Sequence, residues 1–158
     1  MNRFLGLDVG DKYIGVSISD TTCTIASNLV TIRRTSNDKA YEEIEGILND
    51  YNIGTVVVGV PINMDGSDTV MSKRIRKFAR KLTPKFGVEV IFQDERFTSI
   101  EAERTLIQSN VRRENRKKYI DQLAASIILQ TYIDRMNNDN DWKIFWWKWK
   151  WSWVRNSW

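Results

Sequence analysis

Residues Phe4 to Asp20 read FLGLDVGDKYIGVSISD. Apolar and small residues alternate on either side of Gly10-Asp11-Lys12, the pattern of a strand, a tight turn and a second strand. Asp8 stands inside the first apolar run, between Leu7 and Val9. Phe4, Leu5, Leu7 and Val9 suit a strand covered on both faces, where an ionised carboxylate costs several kcal/mol unless something compensates it. Either Asp8 lies at a sheet surface reached by solvent, or a cation is held there.

Ile25 to Arg33 continues the hairpin as a third strand, which makes an antiparallel meander. From Asn37 the period changes. Ala40, Ile44, Ile47, Leu48 and Tyr51 recur at helical steps with Glu42, Glu43 and Glu45 between them, and Gly54 closes the segment. TVVVGV is a β-branched run that suits a strand buried on both faces, and the turn-rich PINMDGS stops it. Ser67 and Asp68 can cap a second helix, whose apolar positions alternate with Lys73, Arg74, Arg76, Lys77, Arg80 and Lys81. VEVIFQDE is a further strand, and Thr98-Ser99-Ile100-Glu101 has capping-box spacing for a third helix. The polar run NVRRENRKK then precedes a last helix from about Tyr119 to Met136. The expected order is β-β-β-α-β-α-β-α-α, an α/β domain.

The chain has 158 residues, 42% of them apolar and 28% charged, which suits one domain with its own core. No window offers the ~18 apolar residues of a spanning helix, and no basic start precedes a long apolar run, so a cytoplasmic protein with no membrane partner is expected. Cys23 is the only cysteine and there is no histidine. Imidazole acid-base catalysis, Ser-His-Asp and Cys-His nucleophiles, thiolate zinc sites and His-ligated zinc are therefore excluded. Carboxylates, lysines, hydroxyls or an oxygen-held metal must carry any chemistry.

Three carboxylates stand out. Asp8 is mid-strand. Glu95 follows the fifth strand at the carboxyl edge of the sheet, where open α/β sheets bind ligands. Asp121 is expected in the first turn of the last helix. Each has an ordinary explanation: a turn-bonded Asp8, a polar strand end at Asp94-Glu95, and an Asp121 that favours the positive end of a helix by ~0.3–1 kcal/mol. Convergence of the three would change this. Two carboxylates ~4 Å apart repel by about 4 kcal/mol at an effective dielectric near 20, so a cluster needs protons or a divalent cation, and oxygen-only ligation suits Mg²⁺ or Mn²⁺.

GLDVGDKYIGVSISD, VVVGVPINMDGS, DERFTS and YIDQLAASIILQ, in this order and spacing, resemble the motifs of the YqgF (RuvX) family of Holliday junction resolvase-like proteins and pre-16S ribosomal RNA nucleases. The likeness covers about Arg3 to Met136. It implies an RNase H-like fold with a mixed five-stranded sheet, three antiparallel strands then two parallel, flanked by helices. It implies that Asp8, Glu95 and Asp121 are a catalytic, metal-holding triad, with Lys12, Arg96 and Thr98 near the substrate phosphates or supporting the site. Asp8 would bridge two divalent ions, water would attack the scissile phosphorus in line, and the products would bear 5′-phosphate and 3′-hydroxyl ends. The implied partner is nucleic acid, an rRNA precursor or branched DNA. A homodimer is what two-fold symmetric nicking of a junction would require. Asp11 and Tyr13 depart from the family pattern, a small or polar residue and an arginine, so the hairpin meets phosphate with less positive charge than usual.

Arg112, Arg113, Arg116, Lys117 and Lys118 are candidates for substrate contact once a nuclease site lies nearby; as a charge run alone they suit solvated surface. The same holds for the basic helix face from Lys73 to Lys85. PINMDGS suits either a strand-to-helix turn or a backbone contact to phosphate. After Asn138 all seven tryptophans fall between Trp142 and Trp158, among four basic residues that with Asp139 and Asp141 supply half of the net charge of +4. Residues 1–138 are expected to be the nuclease domain and 139–158 a Trp/Lys-rich extension, disordered or non-native. Two other readings compete. A non-catalytic nucleic-acid or ribosome-associated module differs from the enzyme by showing no metal-dependent cleavage. A sugar-kinase or actin-like ATPase shares a first loop like LDVGDKYIG, but such proteins need two such domains and a second acidic-glycine phosphate loop, so the length argues against this reading, and no convincing second loop is found in the sequence.

Overall fold

A computed structural model describes residues 2–95 and 113–138, in the last helix with side chains from 123 onward. The elements are β1 (Arg3–Val9), β2 (Tyr13–Ser19), β3 (Ala26–Arg33), α1 (Asn37–Asp50), β4 (Ile53–Val60), α2 (Val70–Arg80), α3 (Leu82–Phe86), β5 (Glu89–Asp94) and α4 (Arg113–Asn138). The sheet order is β3-β2-β1-β4-β5. β1 pairs antiparallel with β2, and β2 with β3. β4 is parallel to both β1 and β5. This is the mixed five-stranded sheet expected, three antiparallel strands followed by two parallel ones.

Strand alternation divides the core. Leu5, Leu7, Val9, Val56, Val58 and Val60 point to one face, where they pack with Ile44 of α1 and Ile75 and Phe78 of α2. Gly6 and Val57 point to the other, against Leu129, Ile128 and Ile133 of α4. Gly6 is there because nothing larger fits. A Cβ on it would collide with Ser17 Oγ and lie 2.8 Å from Leu129 Cβ and 3.0 Å from the Ala125 carbonyl oxygen. The helix backbone thus rides directly on the sheet, and the buried Ser17 hydroxyl donates a 2.6 Å hydrogen bond to the Ala125 carbonyl.

Four expectations are corrected. Thr69 is the N-cap of α2, in place of Ser67 or Asp68: its Oγ1 accepts from Ser72 N at 2.9 Å and donates to the Pro61 carbonyl at 2.9 Å. Ser67 instead closes the preceding loop by donating twice to Asp65 Oδ1. A short helix, α3, follows α2 where none is expected, ended by Gly87 in the left-handed region at φ 71°. The last helix begins at Arg113, so 113–118 are its opening turns and not a loop, and Asp121 lies two turns inside it. The helix-end explanation for Asp121 therefore fails. Finally, Asp8 is the penultimate residue of β1 and half-buried, at the carboxyl end of the strand and not in its middle. The expected helix after Thr98, and residues 139–158, lie outside the described residues. No helix among the described residues is long and apolar enough to cross a membrane.

Two glycine-to-alanine changes test the close approach of α4. Gly6→Ala is expected to destabilise by about 1–3 kcal/mol through overpacking. Gly46→Ala, in the exposed interior of α1 with nothing within 4 Å of the added carbon, is expected to stabilise by about 0.4–1 kcal/mol. Urea unfolding of both variants measures the contrast.

Candidate nuclease site

Asp8, Gly59 and Glu95 come together at the carboxyl ends of three neighbouring strands. Asp8 is paired with Gly15 of β2, and Leu7 with Val58 of β4, so the next step along β1 and β4 sets Asp8 beside Gly59. Gly59 in turn pairs with Gln93 of β5. The Glu95 amide donates to the Val60 carbonyl at 3.2 Å, which extends the β4–β5 ladder one residue past the strand. Glu95 Oε2 then hangs over Gly59: a Cβ there would sit 2.9 Å from it and would also strike Ile128 Cδ1. At Gly15, on the other side of Asp8, an added Cβ would meet the Asp8 Cβ at 3.6 Å and the Ala125 Cβ at 3.4 Å, ordinary contact. Gly59 thus leaves the Glu95 carboxylate its space, and this strand-interior glycine of TVVVGV is the signal in sequence that marks such an approach.

Electrostatics sets the protonation of the site. The Glu95 carboxyl is pushed up from its ordinary 4.5 to about 7, first by burial and then by the negative charges of Asp8 and Asp94. Asp8 opens on a cavity of about 630 Å³ whose wall includes Lys12, Tyr13, Asn28, Thr31 and Ala125. Lys12 and Tyr13 are exposed at its mouth. The hairpin turn that carries Lys12 is fixed from outside. Gly10 N–H donates to the Tyr13 carbonyl at 2.8 Å, Arg34 N–H to the Lys12 carbonyl at 2.7 Å, and the Arg34 guanidinium to the Gly10 carbonyl at 3.0 Å. Nothing in the sequence marks Arg34 for this role, because its partners are backbone atoms 22 and 24 residues away.

Of the candidate residues, Asp8, Glu95 and Lys12 are brought to one end of the sheet. Asp121 lies one helical turn before Ala125, which packs at Gly15 beside Asp8; its own side chain lies outside the described residues. Arg96, Thr98 and Arg112 are also outside them, as are the side chains of Arg113, Arg116, Lys117 and Lys118 on the first turns of α4. Among the described residues no three His, Cys, Asp or Glu side chains are spaced to hold a metal ion. The oxygen donors Asp8 and Glu95 nevertheless suit a hard cation, which would relieve the charge that raises Glu95.

The sign of the pH effect follows from the raised carboxyl. Between pH 4.5 and about 7 the folded chain keeps a proton on Glu95 that the unfolded chain has lost. The stability tied to that proton is fully present below about 4.5 and disappears as pH rises to about 7. With chelator present, wild type is expected to lose on the order of 1–3 kcal/mol more than Glu95→Gln between pH 5 and 8, read by urea unfolding at each pH. Parallel curves for the two proteins would contradict the shift.

Comparison with known proteins gives the chain its family. The family profile RuvX, described as Holliday junction resolvase, matches residues 2–135. A relative from Thermoanaerobacter pseudethanolicus, named "Putative pre-16S rRNA nuclease", is 46% identical over 137 residues, 86% of this chain and 99% of that one. A relative of the same name from Caldanaerobacter subterraneus subsp. tengcongensis is 49% identical over the same shares. Among solved structures, Thermus thermophilus RuvC in complex with a Holliday junction substrate matches 86% of this chain and 96% of its own, with TM-score 0.53 and 13% identity, a likeness of fold. With its profile matched over the whole described domain and relatives of this identity matched along their full length, this chain belongs to the RuvX family of resolvase-like nucleases.

Proposed function

We propose that this chain is a divalent-metal-dependent nuclease that trims precursor 16S ribosomal RNA, with Asp8, Glu95 and Asp121 as its catalytic carboxylates. The observation that supports the reading is the meeting of Asp8 and Glu95 at the carboxyl ends of β1 and β5, which flank β4, with Glu95 Oε2 over Gly59; burial and the neighbouring Asp8 and Asp94 push the Glu95 carboxyl up to about 7, so its charged form is costly without a cation. The names of the relatives, at 46% and 49% identity, support RNA over junction DNA as the substrate. Asp8, Glu95 and Asp121 would hold Mg²⁺ or Mn²⁺ through oxygen alone. The bound cation supplies charge neutralisation at the scissile phosphate and a nucleophile from water at neutral pH. Glu95 would give up its proton to hold the cation, so metal affinity is expected to fall below about pH 7. Lys12, at the mouth of the cavity, pairs with a phosphate of the strand being cut. Arg96 and Thr98, after β5, and Arg112, Arg113, Arg116, Lys117 and Lys118, at the start of α4, hold flanking phosphates. Junction DNA is the second reading, supported by the family's description.

Asp8→Asn keeps the shape of the side chain and removes its charge. The variant is expected to lose metal-dependent cleavage of a labelled precursor RNA almost entirely, while unfolding without metal at the same or a higher temperature than wild type. Mg²⁺ or Mn²⁺ at 100 times its Kd should stabilise wild type by about 2.7 kcal/mol and the variant much less. If Asp8 were only a backbone-bonding residue, the variant would lose ~1–3 kcal/mol regardless of metal. Offering a four-way DNA junction beside the RNA, and mapping the cut ends, separates the two substrates.

We also propose that residues 1–138 suffice for this activity, because the strands of the sheet and α4, among the described residues, all lie within residues 3–138. A chain truncated after Asn138 should unfold cooperatively and cleave at the wild-type rate; loss of either would assign the tail to the domain.

A further inference from the structure

A cationic groove lies on the opposite face of the sheet from α4. It is a cavity of about 210 Å³ between α1 and α2, lined by Arg34, Arg74, Lys77 and Lys81 and by one carboxylate, Asp11. Its cations are not equivalent. Arg34 is committed to the Gly10 carbonyl and to Asn37 Oδ1. Arg76, on the same helix but outside the groove, is committed to Asp68 at 3.3 Å and to the face of Phe92 at 4.9 Å. Arg74, Lys77 and Lys81 are exposed, and none has a hydrogen-bond or ion-pair partner among the described residues. Three like charges are thus gathered at helical spacing with Asp11 as the one carboxylate lining the same groove, a cost that an anionic partner lowers.

The groove is also continuous with the candidate active site. Asp11 lines both cavities, so the hairpin turn Gly10–Lys12 is the ridge between them. A strand whose scissile phosphate lies at Asp8 and whose neighbour meets Lys12 has only that ridge to cross before it reaches Arg74.

We infer that the α1–α2 groove is a second nucleic-acid contact, in which Arg74, Lys77 and Lys81 hold the phosphodiester backbone of the substrate beyond the cut site. The inference rests on the nuclease reading for the direction of the strand, and on the unpartnered charges for the contact itself. Such contacts fix register without reading sequence. They therefore raise affinity for substrates long enough to cross the turn and leave the chemistry alone.

The test compares Arg74→Ala/Lys77→Ala/Lys81→Ala with a control, Lys39→Ala/Lys73→Ala/Arg80→Ala, which removes the same charge from exposed positions that do not line the groove. Binding is measured in the Asp8→Asn background, so that nothing is cut, with RNA and DNA hairpins of matched sequence carrying a single-stranded flank. Cleavage is measured in the wild-type background. The groove variant is expected to flatten the plot of log affinity against log salt by about 0.7–0.9 per contact, about two to three units in all, for long substrates of either chemistry. Its KM for a long substrate should rise with kcat unchanged, and its handling of a short one should match wild type. A groove variant with the wild-type slope, or one no different from the control, overturns the inference. If the slope depends on the groove while wild type cuts neither RNA nor DNA, the contact stands and the nuclease reading falls. Wild type that binds neither nucleic acid overturns both.

Discussion

The separation between α4 and the sheet is the constraint on which the site depends. Gly6, Gly15 and Gly59 sit on β1, β2 and β4 directly beneath that helix, and at Gly6 and Gly59 an added carbon would strike it. The Ser17 hydroxyl locks the register by bonding a helix carbonyl that no solvent reaches. Because Ala125 is pinned beside Asp8 in this way, position 121, one turn earlier, is set toward the same end of the sheet. A helix held further out by ordinary side chains would carry that position away from β1, so the packing of the hydrophobic face and the geometry of the polar edge have a common cause.

The polar edge works against the fold that carries it. Burial of Glu95 beside Asp8 and Asp94 makes its charged form unfavourable, and the surrounding apolar packing of Ile128, Leu129 and Ile133 offsets that cost. Functional sites commonly keep such local instability, which a bound ligand later relieves. The α1–α2 groove repeats the pattern with the opposite sign: Arg74, Lys77 and Lys81 repel one another, where Arg76 on the same helix is neutralised at once by Asp68.

Much of the architecture was legible because it follows from periodicity. The meander, α1, the buried run of β4 and the parallel β5 all announce themselves through alternation or helical spacing. Element ends were harder to read, for physical reasons. Ser67, Asp68 and Thr69 are all good caps, and only the reach of Thr69 to both Ser72 N and the Pro61 carbonyl selects among them. Asp8 looked central because Val9 follows it, although β1 ends at Val9. The first turns of α4 have no apolar stripe to betray them; their signal was a glycine-free, proline-free run of Glu, Arg and Lys, all strong helix formers. The groove was hidden by arithmetic, since a domain with a small net charge can still segregate its cations on one face. Arg34 left no trace at all, because its role is to hold backbone.

Glu95 has one more consequence. The chain contains no histidine, so no imidazole titrates between pH 5 and 8. The Glu95 carboxyl over Gly59, pushed up to about 7, exchanges its proton within that range. Proton exchange by the protein in that range therefore carries no histidine contribution. The same carboxyl that feels Asp8 and Asp94 also feels an arriving positive charge, so cation uptake near neutrality is expected to release a proton that a pH electrode or indicator dye can count.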